Sequence, residues 1–332
     1  MKNHHPNSVV QCILTFLFIS SCREVAIGAA AFQPVPPVTD LSGSRRQQRW
    51  TLMQQQSKSL TKSEPIAEVE VSDKVYHTSS FWGVSRSEEE IVEFVAMNCF
   101  DSSENISCMR DKVEVVSVDP PLLYIHNFID VDLCDAITNT AKGKGLDRST
   151  VGSDKETQEM RTSRQTWLKE DDETLKYNHD SIAAMRKIAS KISRITCLPT
   201  SHQENLQVVR YERGQKFDIH LDHLDEFNDL ECRGRLATCL IYLNDGDGIE
   251  FDGGETYFPE FEFKAVPKKG SAVFFWNTIE RPGEENYSSH MFLSANIKLR
   301  HSGLEILDGT KWICNRWVHP VPLHAGVIGE NM

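Results

Sequence analysis

The chain has 332 residues, 39% of them hydrophobic and 25% charged, enough for one large domain with extensions. Its formal charge of −12 argues against a nucleic-acid-binding surface, which should be basic. None of its nine cysteines stands in a Cys-x-x-Cys pair, which argues against a thiolate zinc site.

Val9 to Cys22 is mostly apolar, too short for an ordinary transmembrane helix, and is followed by the small residues Gly28 to Ala31. Residues 1–31 therefore read as a secretory signal peptide, with a signal anchor as the alternative. Residues 32–62 carry Arg45, Arg46, Arg49, Lys58 and Lys62 against Asp40 alone and are rich in Ser, Thr and Gln. They read either as a disordered linker or as a transit-like segment, similar to the bipartite leaders that address secondary plastids. The expected destination is the secretory pathway, endoplasmic reticulum or Golgi, with a plastid as the alternative. Asn105-Ile106-Ser107 and Asn286-Tyr287-Ser288 have the form of glycosylation acceptors and fit that route.

Residues 63–118 read as an N-terminal extension with one predicted helix, Ser87 to Asn98. Glu88, Glu89 and Glu90 favour its start, and Ile91, Phe94 and Val95 form an apolar stripe. Cys99 and Cys108 flank a polar loop and are expected to pair. The main domain is expected over 119–322, with a tail at 323–332. It opens with a strand, Leu122 to Ile125. Two helices follow: Asp130 to Lys142, capped by Asp130, and His179 to Ile195, with Ile182, Met185, Ile188 and Ile192 at helical spacing. After Asn205 the chain becomes short strands punctuated by Gly, Asp and Pro. The expected fold is mainly β with flanking helices, an antiparallel barrel with the helices outside. Cys239, within the run Leu236 to Leu243, reads as a buried small apolar residue. Acidic residues crowd this half: Asp225, Glu226, Asp229, Glu231, Asp245, Asp247, Glu250 and Asp252. They are either solvated loops or a rim attractive to a basic or neutral peptide.

The chemistry concentrates in His220, Asp222 and His301. On a strand, residues i and i+2 share a face, so His220 and Asp222 can meet one metal ion from one side. A second His completes a two-His, one-carboxylate face with open positions, suited to non-haem Fe(II) and able to accept Zn(II). No HExxH motif supports a zinc hydrolase. His223 should point to the opposite strand face. Lys311 follows His301 by 10 residues with Asp308-Gly309 between them, which predicts two adjacent antiparallel strands joined by a turn. A lysine so placed offers a point charge to a carboxylate at the back of a pocket.

Several stretches in order resemble the prolyl 4-hydroxylase family of 2-oxoglutarate and Fe(II)-dependent dioxygenases. They are Leu206 to Tyr211, Gly214 to Phe217, His220-Leu221-Asp222, Tyr242 to Asp245, Gly253 to Thr256, Pro267 to Gly270, and His301 to Trp317. The resemblance implies a double-stranded β-helix (jelly-roll) core holding Fe(II) on His220, Asp222 and His301. It also implies 2-oxoglutarate as co-substrate, O2, and L-ascorbate to rescue over-oxidised iron. Lys311 is then the partner of the distal carboxylate of 2-oxoglutarate, with Tyr211 and Thr256 facing the same molecule. Arg235 matches a family arginine near the peptide site, a surface arginine being the alternative. Trp317 shares the strand parity of Lys311 and either walls the pocket or packs the core. Phe217 stands where many relatives carry Tyr, which removes a hydroxyl near the substrate.

The implied reaction is hydroxylation of peptidyl proline, with 2-oxoglutarate converted to succinate and carbon dioxide. The implied partner is an extended, Pro-rich peptide, and membrane association follows only if the leader is retained as an anchor. The rivals are the same oxygenase acting on a lysyl or other side chain or on a small molecule, and a non-catalytic binding module of the same fold.

Overall fold

A computed structural model describes residues 81–101, 103–149, 161–172, 175, 178–223, 234–279, 281 and 293–323. The expectations for 1–31 and 32–62, the Asn286 acceptor, the acidic residues Asp225, Glu226, Asp229 and Glu231, and residues 324–332 lie outside the described residues.

Four helices are described. The first, α1 (Glu88–Cys99), starts at a capping box: Ser87 Oγ accepts from the Glu90 amide, and the Glu90 carboxylate accepts from the Ser87 amide. A short α2 (Ile106–Arg110) follows. The two long helices are α3 (Val131–Lys144) and α4 (His179–Thr196). Asp130 occupies the cap position of α3, yet its carboxylate reaches Lys187 on α4 at 2.5 Å rather than the helix amides. Ile188, Ile192 and Ile195 of α4 are fully buried, each contributing roughly 1.5–3 kcal/mol of apolar transfer.

Along the chain the strands are β1 (Val113–Ser117), β2 (Leu122–Ile125), β3 (Asp147–Arg148), β4 (Arg164–Leu168), β5 (Leu206–Glu212) and β6 (Phe217–His220). They continue with β7 (Ala237–Tyr242), β8 (Phe251–Gly253), β9 (Thr256–Phe258), β10 (Phe263–Ala265), β11 (Ala272–Trp276), β12 (His301–Gly303) and β13 (Ile306–Val318). The major sheet runs β1-β2-β11-β7-β13-β5-β4-β3, with β8 paired to the start of β13. The minor sheet runs β10-β9-β12-β6. All pairings are antiparallel.

Both faces of the major sheet are covered, so β7 is buried at every position. Ala237, Cys239 and Ile241 pack with the helices on one side, while Leu240 and Tyr242 face the minor sheet on the other. This is why the strand reads as a continuous apolar run instead of an alternating one. The space between the sheets carries the site. Among the described residues no helix is long and apolar enough to cross a membrane.

Residues 81–118 share this core. β1 pairs with β2 at the sheet edge, and the buried Trp82 indole donates to the Ile195 carbonyl at 2.5 Å while packing edge-on against Trp276. The expected Cys99–Cys108 disulfide is absent, since both thiols are free. Cys99 ends α1 on its core side, where burial pushes its thiol up to about 12, whereas Cys108 stands exposed on α2.

Candidate metal and co-substrate site

His220 and His301 stand opposite one another on the paired strands β6 and β12, with ring centroids 4.3 Å apart. Asp222 lies two residues beyond the end of β6, so the common strand face expected for His220 and Asp222 is replaced by a strand end and the loop after it. The imidazoles are oriented through their Nδ1 atoms, 2.8 Å from the Asp218 carbonyl and 3.0 Å from the Leu299 carbonyl. A carbonyl only accepts, so both Nδ1 atoms carry the proton and both Nε2 atoms present a lone pair. Those Nε2 atoms lie 3.5 and 4.0 Å from Oδ1 of Asp222. The other carboxylate oxygen, Oδ2, accepts from Thr238 Oγ1 at 2.7 Å and Trp317 Nε1 at 3.0 Å.

The carboxylate thus has one oxygen held and one facing the imidazoles, and the candidate ligand atoms of the three residues lie within 4.8 Å of one another. Burial pushes the Asp222 carboxyl upward, but the adjacent His220 and His301 side chains and the charge of Arg235 outweigh it and hold the group well below the usual carboxylate range. Burial, helped by the neighbouring His220, lowers His301 to about 4 against the pull of Asp222. An ionised carboxylate and a neutral imidazole are the forms that bind a cation. Aromatic rings close the surroundings: Phe217 stacks on His220 at 3.6 Å, and Phe258 and Phe275 lie 5.2 and 5.0 Å from His301. The donor set and its second layer of hydrogen bonds fit a divalent metal held from one side.

Lys311 faces the same inter-sheet space from β13, directly opposite Tyr211 on β5. The expected hairpin between His301 and Lys311 does not form. His301 belongs to the minor sheet and Lys311 to the major one, so they face each other across the core. Asp308 and Gly309 lie inside β13, where the irregular pairing with β8 uses the positive φ of Gly309, +76°.

The Lys311 side chain is 2% exposed, and its Nζ donates to the Gly254 carbonyl at 2.5 Å. Burial pushes its pKa down to about 7 even though Glu255 pulls upward. Among the described residues no carboxylate pairs with it. Gly254 has a φ of +70°, and a Cβ there would run into the Ile306 side chain and lie 3.2 Å from the Lys311 stem. A buried lysine with donors to spare and no carboxylate paired with it among the described residues fits the carboxylate of a small acid, which would favour its charged form. Tyr211 is 5% exposed, and Thr256, 2% exposed, accepts from the Tyr242 hydroxyl at 2.8 Å.

Residues 206–319 match the family described as the 2OG-Fe(II) oxygenase superfamily. The chain is 33% identical over 225 residues to prolyl 4-hydroxylase 5 of Arabidopsis thaliana, covering 62% of this chain and 71% of that protein. This chain belongs to the prolyl 4-hydroxylase family. It is 31% identical over 209 residues to prolyl 4-hydroxylase subunit alpha-1 of Homo sapiens, covering 60% of this chain and 34% of that one. Among solved structures it is similar to the viral collagen prolyl hydroxylase of Paramecium Bursaria Chlorella virus-1 in its 2OG complex. That match has 28% identity and a TM-score of 0.45, and covers 60% of this chain and 96% of that one. As a member of this family the chain is a 2-oxoglutarate-dependent dioxygenase that uses Fe(II) and O2.

The remaining predicted residues of this prolyl 4-hydroxylase-family enzyme fall around the metal ligands. Trp317 neither merely walls the pocket nor merely packs, because its indole N–H holds Asp222. Arg235 is stacked over the Trp317 ring at 3.5 Å and gripped by Glu204 through two bonds of 2.7 and 3.2 Å. Phe217 lies between His220 and the buried guanidinium of Arg161, whose Cζ is 4.8 Å from its ring. His223, set aside as a ligand, is buried with Nδ1 3.2 Å from the Arg235 carbonyl.

Sequence reasoning missed Thr238, Glu204 and Arg161. Thr238 was findable by strand parity, since the even positions of β7 face the site. Glu204 and Arg161 lie outside any strand run, and nothing in their neighbourhood marked them.

Proposed function

We propose that this enzyme hydroxylates prolyl residues of an extended, Pro-rich peptide, with Fe(II) held by His220, Asp222 and His301 and 2-oxoglutarate anchored by Lys311. The observation that carries the reading is one inter-sheet space with three metal-competent side chains and a buried lysine with which no carboxylate of the described residues pairs. When bound, the iron supplies the redox chemistry by which O2, with 2-oxoglutarate as electron source, hydroxylates a C–H bond and yields succinate and carbon dioxide.

The protein's own contribution is position and dryness. Lys311 takes the distal carboxylate of the co-substrate, and the Tyr211 phenol and Thr256 hydroxyl offer it further hydrogen bonds. Thr238 and Trp317 stop Asp222 from turning. Phe217, Phe258 and Phe275 keep water from the imidazoles. A proline-rich strand already holds an extended, low-entropy shape that a groove can accept, which favours it over a flexible acceptor.

L-ascorbate as a protective reductant and delivery through the secretory pathway by residues 1–31 complete the reading. They are supported by the family resemblance and by the apolar leader respectively. The test is anaerobic loading with Fe(II) and 2-oxoglutarate, then oxygen-triggered turnover on a panel of Pro-rich, lysyl and small-molecule acceptors. Succinate and hydroxylated product should appear in equal amounts with the Pro-rich peptides. Hydroxylation confined to another acceptor class would replace the substrate assignment.

A further inference from the structure

We propose that Arg235 is a positioning residue for the metal site, acting through Trp317. The inference rests on Asp222 being a metal ligand, as put forward above. A carboxylate that must offer one oxygen to a metal has to be kept from rotating. Here Oδ2 carries that duty, with two donors on it.

Of the two, the Thr238 hydroxyl can swing about its own bond, although Asn277 Nδ2 donates to it at 2.9 Å. The indole N–H of Trp317 points wherever its ring is fixed. The group lying over the ring is the Arg235 guanidinium, 3.5 Å from the ring centroid. Trp167 lies farther off at 6.0 Å, tilted by 44°.

Arg235 cannot slide along the indole, because Glu204 grips Nε and Nη2 together and is itself buried at 4% exposure. His319 Nε2 lies 2.7 Å from the same Glu204 oxygen and fixes the carboxylate from another side. A planar guanidinium can stack on a ring and offer a two-pronged edge at the same time, which the point charge of a lysine cannot. The succession Glu204, Arg235, Trp317, Asp222 therefore runs unbroken from a buried carboxylate to a metal ligand.

The test reads metal binding rather than turnover. Co(II) affinity and the visible spectrum of the Co(II) protein, which reports ligand geometry, are measured for the full chain and for W317F, R235K, R235K/W317F and D222A. W317F keeps the ring under Arg235 but loses the donor, and should weaken Co(II) by about 10- to 100-fold. R235K keeps the charge but loses the stack and fork. It should weaken Co(II) by at least about threefold and move the spectrum toward that of W317F. R235K/W317F should bind no more weakly than W317F alone, because both changes act on one hydrogen bond.

Wild-type affinity and spectrum in R235K would overturn the proposal, since charge through space would then suffice. Losses that multiply in the double variant would overturn it as well. Should R235K lose its circular dichroism, E204Q/R235M removes the buried pair together and serves the same comparison with W317F. D222A separates this proposal from the reading beneath it: Co(II) binding unchanged in D222A removes Asp222 as a ligand.

Discussion

At the scale of single residues the site is built from atoms with one job each. In both histidines a backbone carbonyl takes Nδ1 and leaves Nε2, and in Asp222 two donors take Oδ2 and leave Oδ1. Replacing His220 or Asp222 by Ala should abolish conversion of 2-oxoglutarate to succinate, and turnover persisting in His220→Ala would remove it from the site.

Lys311 allows a signed prediction. Its pKa is about 7 when folded and 10.5 in a free chain. Between those values the unfolded chain holds the proton and the folded one does not, so the ligand-free protein gains stability from this group as pH rises from about 7 toward 10.5. A bound carboxylate favours the charged form, so 2-oxoglutarate binding at pH 8 should take up about one proton. Calorimetry in two buffers of different ionisation enthalpy measures this, and zero uptake would contradict it.

At the scale of elements, the metal ligands come from strand ends and a loop, while the co-substrate lysine sits within the long strand β13. The identity of His220, Asp222, His301 and Lys311 was legible because the residue types and their order along the chain carry the resemblance. Their arrangement was not. Ten residues with an Asp-Gly between His301 and Lys311 suit a hairpin, but a glycine at positive φ serves a strand irregularity equally well, and the register with β8 decides for the latter. The three longer helices were legible to within a residue or two, since their apolar spacing faces a single buried side, whereas the five-residue α2, with only Met109 buried, was not expected.

Gly254 is an element-scale constraint on Lys311. Gly254→Ala combines a φ of +70° with a clash against Ile306, and should reduce 2-oxoglutarate affinity with little loss of Co(II) binding. Equal loss of both would show that the whole fold, and not the co-substrate end, had given way. On the helix side, Ile192→Ala should destabilise by about 2–5 kcal/mol in denaturant titration without changing metal affinity.

At the scale of the molecule, two sheets enclose the site and helices pack on the outer face of the larger one. Glu204 precedes β5, Arg235 precedes β7 and His319 follows β13, so one buried cluster ties three strand ends together. Burial pushes Glu204 upward, but Arg235 and His319 outweigh it and hold the group at about 2 against an ordinary 4.5. A lowered carboxylate contributes stability that is present above the ordinary value and lost as pH falls from 4.5 toward 2. The acid limb of a melting-temperature profile should therefore be shallower in Glu204→Gln than in the parent, and an unchanged slope would deny Glu204 that role.

The enclosure also explains why both ends of the co-substrate must be met at once: the metal ligands lie on the minor sheet side and Lys311 on the major. The decisive measurement is anaerobic titration of 2-oxoglutarate into the Fe(II)-loaded enzyme, its His220→Ala form and its Lys311→Ala form. One equivalent should bind the parent, His220→Ala should lose the iron-dependent part of the affinity, and Lys311→Ala should lose about 2–5 kcal/mol while still binding iron. Undiminished 2-oxoglutarate binding in both variants would contradict the account.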